Sequence, residues 1–337
     1  WFEAVIGYLS AAIEWAKNNG TPDAWRNWWQ NPAARTVYFI GKDNIPFHTV
    51  MWPAQLMGAK GLYADDKTAH LNLPYDVPAN EFMNMEGRKI SGSMNWGVWM
   101  LDALERHDPD PMRYYLTAVM PESRDSDFTW QGYVERNNTE LVNNWGNLVN
   151  RVLNMTKRYF KGIVPDPGEL TAKDRDLLTA VDAGFETVRQ LYDGCKFRAV
   201  AQENLRLSTL VNQYLEETSP WTTAKTDMQA TARSLYTAVQ AISGLKILWA
   251  PILPFTSQQV HEMLGEDGQL FGQQKVETYQ ESRKSHEGLT YDGSTAVGDW
   301  TRREIPVGRQ LPTPHPLFKR LDDSIITDEL DRLGTVS

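Results

Sequence analysis

Gly87-Arg88-Lys89-Ile90-Ser91-Gly92-Ser93 sets one lysine among small hydroxyl residues and two glycines. The N–H, O–H and ammonium groups of such a loop can follow negative charge as it moves onto a leaving phosphate chain. A second stretch, Phe39-Ile40-Gly41-Lys42-Asp43 with His48 beyond it, ends a β-branched and aromatic run in glycine. Glycine lets the following backbone approach a ligand closely, and an acidic residue just past it can bind ribose hydroxyls. Asn147 and Arg151 lie four residues apart, which puts an amide and a guanidinium on one helical face. An amide can read base edges, while a guanidinium can stack on a base or clamp a phosphate. Trp221, after Pro220, offers either a stacking surface or a plug for a bundle end. Taken singly, each of these is better explained as an ordinary surface turn or helix face. Their order and intervals carry more.

The elements that must position these groups divide the chain by character. Ile6, Leu9, Ile13 and Ala16 recur at helical spacing, which predicts a helix over 7–18 with Gly20 as its C-cap. Residues 35–40 read as a buried strand ending at Gly41, followed by a helix over 46–58; strand, glycine and helix in that order predict a parallel α/β sheet with its ligand site at the strand's carboxyl end. Residues 71–77 and 81–85 read as extended, with a turn at 78–80 between them. Asp110-Pro111 reads as an N-cap and N1 pair opening a short helix through Val119. From Thr129 onward long helical patterns dominate, at about 130–160, 172–193, 196–217, 226–248 and 255–264, with Thr171 as a cap. That is the pattern of an all-α bundle. The last 70 or so residues have weak periodicity and are expected to wrap the bundle surface.

Composition sets outer limits. The 337 residues are 41% hydrophobic and 23% charged, a globular rather than disordered balance, and long enough for two domains. No run approaches ~18 consecutive apolar residues, so no membrane span is expected. A single cysteine, Cys195, excludes an internal disulfide and a multi-cysteine zinc site within this chain. The net charge of −9 does not announce a nucleic-acid binder, although a local basic stripe remains compatible with it. The opening Trp1-Phe2-Glu3-Ala4 carries neither Met nor a basic segment and reads as a truncated start rather than a signal peptide.

Together the motifs resemble the methionyl-tRNA synthetase family, over almost every residue to about 320. The segment from Trp1 to Tyr8 resembles the stretch that lines that family's methionine pocket, and Phe39 to His48, continuing to Trp52-Pro53, resembles its further amino-acid and ATP contacts. Lys89-Ile90-Ser91-Gly92-Ser93 sits where class I synthetases carry Lys-Met-Ser-Lys-Ser. Asn147-Leu148-Val149-Asn150-Arg151, Pro220-Trp221 and the run from Ala250 to Phe255 are similar to the family's anticodon-binding bundle.

The resemblance implies the carboxy-terminal half of a Rossmann-like catalytic domain, with the stem-contact region, over 1–125, followed by an α-helical anticodon-binding domain with an irregular tail over 126–337. It implies a cytoplasmic methionine–tRNA ligase that makes methionyl-adenylate from methionine and ATP, with Mg²⁺, and transfers the methionyl group to the 3′ end of tRNA(Met). Trp1, Ala4, Val5 and Tyr8 would line the thioether pocket with His48 at its edge; aromatic ring edges suit a polarizable sulfur. Asp43 would hold the ribose and the backbone near Met83 the adenine. Lys89, with Ser91 and Ser93, would stabilise the phosphates during attack by the methionine carboxylate. Asn147, Arg151 and Trp221 would read the splayed CAU anticodon. No metal site within this chain and no membrane are implied, and the oligomeric state is left open.

Two departures from the family stand out. Gly92 replaces the second lysine of the signature, a loss of roughly 2–3 kcal/mol of transition-state stabilisation unless Arg88 substitutes, and Ile90 replaces Met. The amino-terminal half-fold, with its His-Ile-Gly-His motif and inserted zinc-binding domain, does not occur in these residues, so the chain alone is expected not to activate methionine. A rival reading is a non-catalytic tRNA anticodon-binding module; another is a class I synthetase for a different apolar amino acid.

Overall fold

A computed structural model describes residues 2–63, 69–280 and 284–334. The chain falls into two units, one of residues 1–83, 121–126 and 276–288 and the other of 84–120, 127–275 and 289–337.

In the first unit the helix Gly7–Asn18 forms where the apolar spacing places it, burying Leu9 and Ala16. The predicted strand over 35–40 is much shorter: only Ile40–Gly41 pairs as a strand, parallel to Ala79–Asn80, with an isolated bridge from Val37 to Asp76. The partner segment contains Pro74 and Pro78, which cannot donate to a ladder, so continuous pairing is impossible. The same pairing overturns the turn expected at 78–80, since Ile40 N donates to Pro78 O at 3.1 Å. The helix expected over 46–58 begins as a π turn, Phe47–Met51, and continues as the α-helix Trp52–Gly58. Val5, Leu9, Ala16, Trp25, Trp29, Tyr38, Trp52, Leu56 and Leu71 form the core of this unit.

In the second unit Asn84 and Met85 pair antiparallel with Lys89 and Arg88 across a two-residue turn, Glu86-Gly87, in which both residues have positive φ (50° and 71°). Those angles suit the type I′ turn that matches strand twist. The long helices are Ala172–Asp193, Phe197–Thr218, Met228–Trp249 and Pro254–Met263, close to the predicted spans. Thr171 and Asp174 form the reciprocal capping box that fixes the first of them. Met228–Trp249 is buried almost all round and is the central helix of the bundle core.

Three features differ from expectation. The span 130–160 is helical throughout, but Asn137–Gly146 is π-helix between α-helices Trp130–Arg136 and Asn147–Phe160. Within the widened turns the buried amides of Asn137 and Asn138 donate to Lys319 O and Leu321 O, so the π segment is fixed by the chain that crosses it. The short helix starts two residues early, Pro109–Ala118 with Asp108 as N-cap. Asp110 is instead buried and accepts from Thr256 N (2.6 Å) and Thr256 Oγ1 (2.5 Å), capping the helix Pro254–Met263 from outside. Burial raises its carboxyl pKa, and the Thr256 bonds oppose that rise. The tail does more than wrap the bundle surface: Ile305, Leu311, Leu317 and Phe318 enter its core, and the segment also forms the paired strands Gln273–Gln280 and Ser285–Asp292 and a helix, Ser324–Leu330.

Candidate functional site

In the first unit an aromatic group surrounds His48. The helix Gly7–Asn18 brings Tyr8, the chain before Ile40 brings Tyr38, and the π turn brings His48 one turn ahead of Trp52. The Tyr8 ring lies 5.0 Å from Tyr38, 5.7 Å from His48 and 6.3 Å from Trp52. Nδ1 of His48 is 3.0 Å from Asn44 O, which can only accept, so Nδ1 carries the proton. Nε2 lies 2.9 Å from the Tyr8 hydroxyl, which donates to it in the neutral ring. Trp52 Nε1 donates to the Tyr38 hydroxyl at 2.9 Å, and burial raises the Tyr38 pKa. The result is a set of fixed ring edges around a buried imidazole.

The predicted residues of this region are divided by the fold. Tyr8 and His48 meet directly. Val5 is buried in the core under them, and Ala4 is exposed. Trp1 lies outside the described residues. Tyr38, which sequence reasoning did not single out, and Trp52, named there only as the end of a resembling stretch, complete the aromatic group. The signal for Trp52 was its position four residues past His48 on one helical face.

Asp43 is exposed in the short 3₁₀ turn Lys42–Asn44, and its carboxylate accepts from Asn44 Nδ2 at 3.3 Å. A Cβ on Gly41 would stand 2.9 Å from Asp43 Oδ1, so glycine leaves the space in which this carboxylate lies. Lys42 points away from Asp43: it pairs with Glu81 and with Asp125, and these partners raise its pKa. Met83 is half-buried at the start of the strand Met83–Met85.

In the second unit the lysine loop is a closed structure. Ser91 and Trp96 exchange backbone hydrogen bonds of 2.8 and 2.9 Å, Asn95 N donates to Gly92 O, and Trp96 Nε1 donates to Met85 O. Gly87 N donates to both carboxylate oxygens of Asp127 at 2.9 Å, and Gly334 N donates to Asn95 O. Lys89, Ser91 and Ser93 are thereby held on one short segment, with Ser91 Oγ 3.3 Å from Ser93 Oγ and Lys89 exposed. Arg88 lies with its guanidinium carbon 4.0 Å from the centroid of the Trp96 ring. A Cβ on Gly92 would meet nothing nearer than Trp99 at 4.0 Å.

The same unit brings together the remaining predicted trio. Asn147 and Arg151 occupy one face of the helix Asn147–Phe160, and the Arg151 guanidinium lies 5.2 Å from the Trp221 centroid. Arg151 Nη2 also donates to Glu216 at 2.8 Å, a partner that sequence spacing gave no means of finding. Among the described residues no cluster of His, Cys, Asp and Glu could hold a metal ion, and no helix is long and apolar enough to cross a membrane.

A closed lysine and hydroxyl loop, an α/β segment with a glycine–acid turn, and a helical bundle define the class I aminoacyl-tRNA synthetase architecture, and residues 1–153 match the family model described as tRNA synthetases class I (M). Residues 164–292 match the anticodon binding domain of methionyl tRNA ligase. The chain belongs to the methionyl-tRNA synthetase family. It is 49% identical over 335 residues to the methionine–tRNA ligase of Thermomicrobium roseum, covering 99% of this chain and 56% of that protein. Against the methionine–tRNA ligase of Chloroflexus aurantiacus it is 48% identical, covering 99% of this chain and 57% of the relative. Among solved structures it resembles Mycobacterium tuberculosis methionyl-tRNA synthetase in complex with methionyl-adenylate, with TM-score 0.71, 27% identity, 92% of this chain and 55% of that one. The chain thus spans somewhat over half the length of the curated relatives it matches.

Proposed function

We propose that this chain is part of a methionine–tRNA ligase, in which methionine and ATP form methionyl-adenylate and the methionyl group passes to the 3′ end of tRNA(Met), and that the 337 residues alone do not activate methionine. The observation that carries this reading is the Arg151–Trp221 contact with Asn147 one turn away: Trp221 lies in the residues similar to a methionyl tRNA ligase anticodon-binding domain, and Asn147 and Arg151 lie at the end of the residues similar to class I synthetases. A guanidinium over an indole beside a free amide is the combination that reads unstacked bases.

In this proposal Tyr8, His48, Val5 and Ala4, joined by Tyr38 and Trp52, receive the methionine side chain, with Trp1 completing the pocket. Asp43 takes the ribose hydroxyls and the Met83 backbone the adenine. Lys89, Ser91 and Ser93 follow the charge that develops on the leaving pyrophosphate. Mg²⁺ arrives with ATP as part of the substrate. The proposed domains are 1–125 for catalysis and 126–337 for the anticodon, and the proposed compartment is the cytoplasm.

The test is a titration of methionine tRNA transcripts, with and without the CAU anticodon, against the chain at fixed salt, because phosphate contacts make affinity strongly salt-dependent. Sharp loss on anticodon change supports the reading; equal binding of all transcripts overturns it. Methionine-dependent pyrophosphate exchange by a full-length protein carrying this chain separates the ligase from a purely RNA-binding module.

A further inference from the structure

In the first unit the parallel pair ends with Gly41 opposite Asn80, and the next residue on each chain carries a charge of opposite sign, Lys42 and Glu81. Lys42 Nζ pairs with Glu81 and, at 3.1 Å, with Asp125 Oδ1, and it lies 4.4 Å from the centroid of the Phe82 ring. The same Asp125 oxygen accepts from Phe82 N at 3.0 Å. Phe82 N and Lys42 together hold the Asp125 carboxyl below the usual carboxylate range. Segment 121–126 is fastened at two further points, with Glu81 N donating to Pro121 O at 2.8 Å and Ser126 N to Phe82 O at 3.0 Å. One ammonium therefore joins the turn that carries Asp43, the chain that leads into Met83, and segment 121–126.

We propose that Lys42 is a positioning residue for ATP, an inference that rests on the reading above of Asp43 as the ribose contact and Met83 as the adenine contact. The strand ladder ends at Gly41 and Asn80, so beyond it side chains set the separation of the two chains. Through Glu81 and Asp125, Lys42 fixes where the Asp43 turn stands relative to Met83. The lysine side chain is 34% exposed, so its ion pairs contribute little to stability, and their effect lies in geometry. Without the lysine, Glu81 and Asp125 are like charges facing one gap. Their repulsion draws Asp125 away from Phe82 N, directly before Met83.

The test is methionine-dependent pyrophosphate exchange by a full-length synthetase carrying this chain, with melting curves for each variant. Lys42→Met should raise KM for ATP about tenfold and leave KM for methionine near parental. Lys42→Arg should keep most of the parental value. Glu81→Gln should raise KM for ATP by a smaller factor, and adding it to Lys42→Met should recover part of the loss, because the repulsion is relieved. The preference for ATP over 2′,3′-dideoxy-ATP, which lacks the hydroxyls assigned to Asp43, should shrink in Lys42→Met. A parental KM for ATP in Lys42→Met overturns the proposal, as does a loss that falls equally on both substrates. An unchanged or lower KM for ATP in Glu81→Gln also overturns it, and this variant decides the matter if Lys42→Met melts early; that pattern belongs to a lysine that touches the phosphates itself. A full-length parent without methionine-dependent exchange overturns the ligase reading and this proposal together.

Discussion

The Arg151 guanidinium carbon sits 5.2 Å from the centroid of the Trp221 ring while its Nη2 donates to Glu216 at 2.8 Å. The two contacts do different work. In the proposed anticodon reading the ring offers a flat face to a base, and the exposed Glu216 carboxylate orients the guanidinium over that ring while repelling phosphate.

Trp221→Ala should weaken binding of the CAU loop by about 5- to 150-fold, from the ~1–3 kcal/mol of one base–aromatic stack, and Trp221→Phe should keep most of the affinity. Glu216→Gln should tighten binding of any RNA loop severalfold and narrow the gap between CAU and altered anticodons. Salt-fixed titrations measure both, and an unchanged gap in Glu216→Gln would remove Glu216 from the specificity argument.

The Tyr8 hydroxyl holds the His48 ring through Nε2. Tyr8→Phe removes a single hydrogen bond of about 1 kcal/mol, so in a full-length synthetase carrying this chain KM for methionine should rise about fivefold with kcat nearly constant. A fall in kcat at constant KM would place Tyr8 in the chemistry rather than in the pocket.

Gly92 has an open side and an ordinary backbone conformation, so Gly92→Lys restores a second cation without strain. The rate of adenylate formation in the full-length enzyme should rise severalfold. Arg88→Ala should change it less than twofold if Arg88 stays on Trp96, and a tenfold loss would mean that Arg88 does the work of the missing lysine.

Lys246 is fully buried, paired with Glu266 and in contact with His261 Nδ1 at 3.3 Å. Burial, with Arg303 and Arg309 nearby, pushes its pKa down to about 7. The unfolded chain keeps the ordinary value near 10.5, so between these pH values it binds more protons than the folded chain and stability rises with pH. Lys246→Met should lose that slope in denaturant titrations from pH 7 to 9. Glu266→Ala, which leaves the ammonium buried without its carboxylate, should destabilise at pH 7 by about 3 kcal/mol. Equal pH slopes for parent and Lys246→Met would contradict the lowered pKa.

Local periodicity was enough to place the bundle helices within a few residues, because a helix that buries one face must repeat its apolar residues every three or four positions. The helix face shared by Asn147 and Arg151 was legible for the same reason, and so was the spacing of Lys89, Ser91 and Ser93, although Asp127 and Gly334, distant in sequence, help to hold that loop. The parallel pair of Ile40–Gly41 with Ala79–Asn80 was not, since its length depends on prolines in a partner segment some forty residues away. Nor was the π segment Asn137–Gly146, whose extra residue per turn is held by the carbonyls of Lys319 and Leu321. Asp110 was read as a local cap and is spent on Thr256, and Glu216 was invisible as the partner of Arg151. By itself the sequence determined which residues could do chemistry and which helices carry them. The tertiary structure alone decided which side chains meet, because hydrogen-bond partners distant in sequence are chosen by packing and leave no periodic trace in the chain.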